Sequence, residues 1–249
     1  MRLRFLFTVL LAFAAVALSR PQPASASDFS PDQKKEIEGI IGDYLKTHPD
    51  VLIDAIQAAD DKMKADEKDK ANQALATHRQ QVFGDPQSPV AGNPNGNVTL
   101  VEFFDYRCPY CKQVEPSLEK ILADDHQLRF VFKEFPVLGP DSEVAARVAL
   151  AARKQGKYDA FHRAMMNTPG HIDAAVIYQV AASVGLDVNK LKQDMTSPDI
   201  EQELKANLDL GKTLDLDGTP SFIVGDTIIP GAISADDLKQ VIASARGKP

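Results

Sequence analysis

The chain of 249 residues has no tryptophan, two cysteines and five histidines. Two cysteines cannot staple a small disulfide scaffold. One C-x-x-C and five scattered histidines also fall short of the roughly four ligands that zinc takes. A basic excess is missing: 28 Lys and Arg stand against 35 Asp and Glu, for a net charge of −7. That balance excludes a broad electrostatic footprint for nucleic acid. Internal repeats and low-complexity tracts are absent, and beyond the N-terminus no segment is apolar enough to cross a bilayer. What is there is ordinary: 44 % hydrophobic and 25 % charged residues, long enough for one large domain or two small ones with a sizeable core.

The N-terminus stands apart. Arg2 and Arg4 precede a 14-residue apolar run from Phe5 to Leu18, and Ala24-Ser25-Ala26 follows with small residues spaced for signal peptidase. The run is too short for a membrane span, which needs roughly 20 residues, so residues 1–26 are expected to be a secretory leader rather than a retained anchor. Removing Arg2, Arg4 and Arg20 with it moves the net charge from −7 to −10.

Residues 27–84 read as a helical segment. Ser30-Pro31-Asp32-Gln33 has the capping-box pattern with proline at the first helical position. Ile37, Ile40, Ile41, Tyr44 and Leu45 recur at helical spacing, and His48-Pro49 breaks the helix. A second helix is expected from Pro49 to about Val82, apolar at Val51, Leu52, Ile53, Ile56 and Met63. Nine of the eleven residues from Asp60 to Lys70 are charged. Asp60–Lys64 and Asp66–Lys70 are spaced as i,i+4 pairs on a solvated face. Two short apolar patches with no third partner nearby point to self-association, the blander reading being that they pack on the domain that follows. A sustained heptad is lacking, so a long coiled coil is not expected.

Residues 85–249 read as α/β. Gly84 to Asn97 is an entry loop rich in Pro and Gly, with a short edge strand at Ser88–Ala91. Val98–Asp105 and Leu128–Phe135 are apolar runs suited to buried strands, and the helix expected from Cys108 to Asp124 makes them a parallel βαβ unit. Residues 139–214 read as consecutive helices, with Asp173 and Asp187 as caps. Ser221–Val224 and Ile228–Ile229, joined at Gly225-Asp226, read as a hairpin. A closing helix begins at Ser234.

The chemistry gathers at Cys108-Pro109-Tyr110-Cys111, directly after a strand and opening a helix. Free N–H groups and the helix dipole at that end favour a thiolate, and C-x-x-C thiols fall from ~8.5 to ~3.5–7.5. Cys108 is expected to be the exposed nucleophile and Cys111, one turn in, the buried resolving thiol. A purely structural role is a poor fit, since closing so short a loop restrains the unfolded chain by only about 2 kcal/mol. Thr219-Pro220 enters the third strand. From the residues alone it suits a cis bond, or equally a trans proline ending a loop. Glu102 lies six residues before Cys108, either buried beneath the helix as a proton acceptor for Cys111 or at a partly wet strand position. Tyr106 and Arg107 are expected to shape the surface around the motif. His171 sits alone in a loop, and the phenylalanines of residues 103–135 are expected in the core.

Val101–Cys111 (V-E-F-F-D-Y-R-C-P-Y-C) together with Gly218-Thr219-Pro220 resembles the DsbA-like thiol:disulfide oxidoreductases of the thioredoxin superfamily. The resemblance implies a thioredoxin-like fold with a helical insertion, with Cys108 as nucleophile and Cys111 as resolving cysteine. It further implies Thr219-Pro220 as the cis-proline pair and Glu102 as the buried acid; spacing does not fix a basic partner for Glu102, for which Arg129 and Lys133 are both candidates. Pro109, Tyr110, Thr219 and Pro220 would meet the substrate. The N-terminal helices are similar to the ScsC-like and Com1-like branch, where the extension is associated with oligomerisation. Pro109-Tyr110 departs from the Pro-His of the strongly oxidising DsbA, and Thr219 is more like the isomerase branches, which favours isomerase or reductase over oxidase. The implied partners are protein thiols and disulfides, a membrane redox partner and further copies of the chain, in the periplasm or peripherally at the outer membrane. No cofactor or metal is required. Two readings of another kind compete: a copper-handling protein with both thiolates on Cu(I), and a chaperone indifferent to its cysteines.

Overall fold

The computed structural model describes residues 29–247, so the leader expected over residues 1–26 lies outside the described residues. The described residues divide into two compact units, which meet between Asp60 and Asp61.

In the first unit, α1 spans Pro31–Thr47 and α2 begins at Pro49. Ser30 caps α1 as its sequence requires: its hydroxyl accepts from the Gln33 N–H at 3.3 Å, while the Gln33 side chain accepts from the Ser30 N–H at 2.9 Å. None of the residues of α1 is buried. Ile40, Ile41 and Tyr44 on α1 and Leu52, Ile53 and Ile56 on α2 are all exposed, Ile53 by 66 %.

In the second unit, α2 continues to Thr77 through its charged, exposed stretch. Asp66 pairs there with Lys62 at 2.9 Å, one turn before it, rather than with Lys70 after it. The helix expected to reach Val82 is interrupted at His78, and α3 (Arg79–Phe83) follows. Thr77 and His78 are mediocre helix formers, and the interruption lets Leu75 and Val82 enter one apolar cluster.

Five strands follow: β1 (Val90–Gly92), β2 (Val98–Phe104), β3 (Leu128–Glu134), β4 (Ser221–Val224) and β5 (Thr227–Pro230). They form one sheet in the order β1-β3-β2-β4-β5. β2 and β3 are parallel and joined by α4 (Pro109–Asp124), and the other pairs are antiparallel. Gly225 makes the β4–β5 turn with φ +60°, a conformation that suits glycine.

Strand alternation sorts the core. Val98, Leu100 and Phe104 face a cluster shared with α4, whereas Val101 and Phe103 face the opposite one with Leu75, Val82, Leu210 and Leu214. Phe103, Phe104, Phe130, Phe132 and Phe135 are all buried, as expected. Between β3 and β4 lie α5 (Pro140–Lys154), α6 (Tyr158–Met166), α7 (Ala174–Ser183), α8 (Val188–Asp194) and α9 (Pro198–Thr213). Asp173 and Asp187 cap α7 and α8. Ser234 caps the closing helix α10 (Ala235–Arg246). Among the described residues, no helix is long and apolar enough to cross a membrane.

Candidate functional site

The site is built at the carboxyl end of β2. The Asp105 carboxylate accepts from the Arg107 N–H at 2.8 Å and from the Val137 and Leu138 N–H groups at 3.0 Å each. Arg107 returns a bond to the Leu138 carbonyl at 2.8 Å. The turn that carries the cysteines is thereby tied to the loop after β3. The Cys108 N–H closes the turn onto the Asp105 carbonyl at 3.0 Å. Cys108 is the N-cap of α4, in an extended conformation, and Pro109 fills the first helical position, where no N–H is needed.

The Thr219–Pro220 peptide is cis. The Thr219 carbonyl accepts from the Cys108 thiol at 3.1 Å. This contact explains one correction: Cys108, expected to be exposed, is only 3 % so, because the Thr219 loop covers it. Cys111 is fully buried, and Pro109 and Tyr110 between them are exposed, Tyr110 by 59 %.

The two thiols are driven apart. Cys108 is lowered from 9.0 to about 5, above all by a hydrogen bond from the Cys111 thiol. The Thr219 side chain and the N–H groups of Cys111 and Tyr110 add to this, against the opposing effect of burial. Cys111 is pushed far up, first by burial, then by its bond to Cys108 and by the nearby Glu102. At neutral pH the pair is therefore one thiolate and one thiol. A thiolate is the species that attacks a disulfide.

Glu102 stands opposite Phe132 on one side and Phe222 on the other. It is fully buried, which removes the wet-strand reading. Neither carboxyl oxygen has a hydrogen-bond partner. Burial, then the charges of Glu115, Cys108 and Glu134, raise it well above the usual carboxylate range. Neither candidate basic partner reaches it. Lys133 pairs with Asp85 at 2.9 Å and Arg129 donates to the Phe83 carbonyl at 2.6 Å. Both stand opposite odd-numbered positions of β2, Thr99 and Phe103, so alternation turns them to the other face of the sheet.

Tyr106 does not shape the surface around the motif: it is 1 % exposed and belongs to a polar cluster that the sequence did not announce. Its hydroxyl donates to Glu134 at 3.1 Å, as does that of Tyr158 at 2.8 Å. The Tyr106 hydroxyl also meets His162 Nδ1 at 3.2 Å. His162 Nε2 lies 3.5 Å from Glu115. Burial raises Glu134 well above the usual range despite its two tyrosine donors. Glu115, two turns along α4 from Cys108, carried a usable signal in its spacing; His162 and Tyr158 carried none, because the insertion brings them in from far along the chain. His171, expected to play no catalytic part, is exposed in the loop before α7. Among the described residues, no group of three or more His, Cys, Asp or Glu is placed to hold a metal ion. The copper reading thus finds no such cluster beside a pair in which only one thiol ionises readily.

A model of the DSBA-like thioredoxin domain matches residues 99–243, and one of the copper resistance protein ScsC N-terminal domain matches residues 33–65. Among solved structures, a thioredoxin-like oxidoreductase from Silicibacter pomeroyi is 42 % identical, with a TM-score of 0.68 over 69 % of this chain and 99 % of its own. Proteus mirabilis ScsC in a transitional conformation is 32 % identical, with a TM-score of 0.65 over 90 % of this chain and all of its own. The Na(+)/H(+) antiporter NhaA 1 of Salinispora arenicola is 28 % identical over 158 residues, 63 % of this chain and 24 % of the antiporter. The chain thus spans about a quarter of the length of the antiporters among its curated relatives.

Proposed function

Since the chain belongs to the family of DsbA-like thioredoxin domains, we propose that it is an exported thiol:disulfide oxidoreductase that exchanges disulfides with protein substrates through Cys108 and Cys111, as an isomerase or reductase rather than an oxidase. The observation that carries this reading is the Cys108 thiol at the N-cap of α4, beneath the Thr219 carbonyl, a setting that lowers its pKa to about 5.

The Cys108 thiolate attacks a substrate disulfide and forms a mixed disulfide. Cys111 then attacks Cys108 and releases the reduced substrate. In the other direction a substrate thiolate opens the Cys108–Cys111 bond. Thr219 and Pro220 border the substrate, together with the exposed Pro109 and Tyr110. The Thr219 N–H makes no hydrogen bond among the described residues, so it is open to an extended substrate segment. Glu102, held neutral by burial, exchanges a proton with Cys111. A thiol at about 5 lies between the ~7 of thioredoxin and the ~3.5 of DsbA, an intermediate poise that supports isomerisation or reduction.

The leader over residues 1–26 directs the chain to the periplasm. There a membrane redox partner supplies electrons, and the exposed apolar faces of α1 and α2 are covered by other copies. Isomerisation is tested by reactivation of a scrambled-disulfide ribonuclease. The reduced protein restores activity and Cys108→Ser does not; equal reactivation by the variant would sink the redox reading in favour of a chaperone. For assembly, sedimentation of the mature chain is expected to show an oligomer at micromolar concentration that Ile40→Asp with Ile56→Asp dissociates. A monomeric parent would remove self-association.

A further inference from the structure

Cys111 has a proton problem that the two cysteines and Glu102 do not solve alone. When a substrate thiolate attacks Cys108, the substrate S–Cys108 bond forms and the Cys108–Cys111 bond breaks. Cys111 leaves with the electron pair, a poor leaving group unless a proton reaches it. Glu102 can give that proton, but it is sealed, with no hydrogen-bond partner for either oxygen. It must be refilled from somewhere.

We propose that His162 is a positioning residue for this step, passing protons through Glu115 between the sealed Glu102 pocket and the solvent. The inference rests on the thiol chemistry proposed above and extends it. Three observations carry it. First, His162 is 1 % exposed, yet its Nε2 has no hydrogen-bond partner and sits 3.5 Å from Glu115 Oε1, slightly too long for a bond at rest and within reach of one. Second, the His162 ring lies against Phe104 and Phe132, with centroids 5.0 and 4.5 Å away. Those residues flank Glu102, one along β2 and one directly across in β3. Third, Glu115 and His162 form the floor of a small surface cleft rimmed by Glu119, Asp159 and Arg163. The charged and titratable groups around His162 are thus Glu115 and Glu119 from α4, Tyr158 stacked on its ring at 5.9 Å, and Tyr106, whose hydroxyl holds Nδ1, with Glu102 lying beyond Phe104 and Phe132. Glu134 from β3 acts through Tyr106 and Tyr158, and Asp159 and Arg163 stand on α6 itself. The proton balance closes. Glu102 gives its proton to the departing Cys111 thiolate, Glu115 replaces it, and His162 or water in the cleft refills Glu115. Oxidation runs the same path backwards.

The test compares His162→Phe and His162→Gln with the parent. Glutamine keeps a polar partner for Glu115 but cannot carry a proton. The readouts are single-turnover opening of the Cys108–Cys111 disulfide by a thiol peptide across pH, its solvent isotope effect, and thiolate absorbance for Cys108. The expected result is a loss of about tenfold or more in both variants, a larger isotope effect, partial rescue by added imidazole, and an unmoved Cys108 titration. Parental rates and pH profile in His162→Gln would overturn the relay and leave His162 a packing residue. A parent that opens no disulfide would overturn the oxidoreductase reading itself, and the relay with it. If His162→Phe fails to fold, His162→Gln with imidazole rescue decides.

Discussion

Replacing Thr219 by valine preserves the branched shape beside Pro220 and removes one hydroxyl. In the structure Thr219 acts on Cys108 in two opposed ways, one a recorded contact and the other electrostatic. Its carbonyl accepts from the thiol at 3.1 Å, which favours S–H, while its side chain is among the groups that lower the thiol pKa and so favours the thiolate. Valine keeps the first and deletes the second. A hydrogen bond to a charged group contributes about 1.5–3 kcal/mol, and each pKa unit is about 1.36 kcal/mol. The low end therefore moves the Cys108 midpoint from about 5 to ~6. At pH 7 most of the protein still carries the thiolate, so the nucleophile remains. The reduced form nevertheless loses roughly 1.3 kcal/mol, and the potential falls by ~28 mV. Ultraviolet thiolate absorbance against pH reads the midpoint, and equilibration with glutathione reads the potential. A Thr219→Val midpoint at or below that of the parent would refute the assignment of the side chain as a donor.

Cys111→Ala removes the largest support of the Cys108 thiolate. It should raise the Cys108 midpoint further than Thr219→Val does, and trap mixed disulfides visible on non-reducing gels. Cys111→Ser keeps a donor and should raise it less. Stability follows the same group. Cys108 is an acid whose folded pKa is depressed, so its contribution is present above the ordinary thiol value and lost as pH falls through about 5. Urea unfolding of reduced parent and reduced Cys108→Ser should show their difference shrinking by about 2 kcal/mol from pH 7 to pH 5; a constant difference would contradict the low thiol pKa.

What could be read in advance was what short stretches of chain determine. The capping box at Ser30, the βαβ unit around Cys108 and the Gly225 turn are local chemistry, and the structure keeps each of them. Cys108 and Thr219 are 111 positions apart and were joined only through a family resemblance; their 3.1 Å contact is a product of the sheet order. The errors share a cause. Exposure of Cys108, a basic partner for Glu102 and a surface place for Tyr106 all depend on which distant element covers a residue. Strand parity did hold the means to exclude Lys133 from Glu102, once β2 and β3 were paired in register. Nothing in the sequence around His162 marks it, because its partners arrive from α4 and from the turn after β2.

The poise of the Cys108–Cys111 pair decides between reductant, isomerase and oxidant. Thioredoxin, with a nucleophile near ~7, stands at about −270 mV. A nucleophile at about 5 stabilises the reduced form at pH 7 by roughly 2.3 kcal/mol more, or ~50 mV. Equilibration of the mature protein in graded glutathione buffers should therefore show half-oxidation at about −220 mV, near glutaredoxins and protein disulfide isomerase. A value near about −120 mV, that of DsbA, would make the protein a disulfide donor and contradict the proposed direction. A pair that does not cycle at all would contradict the site.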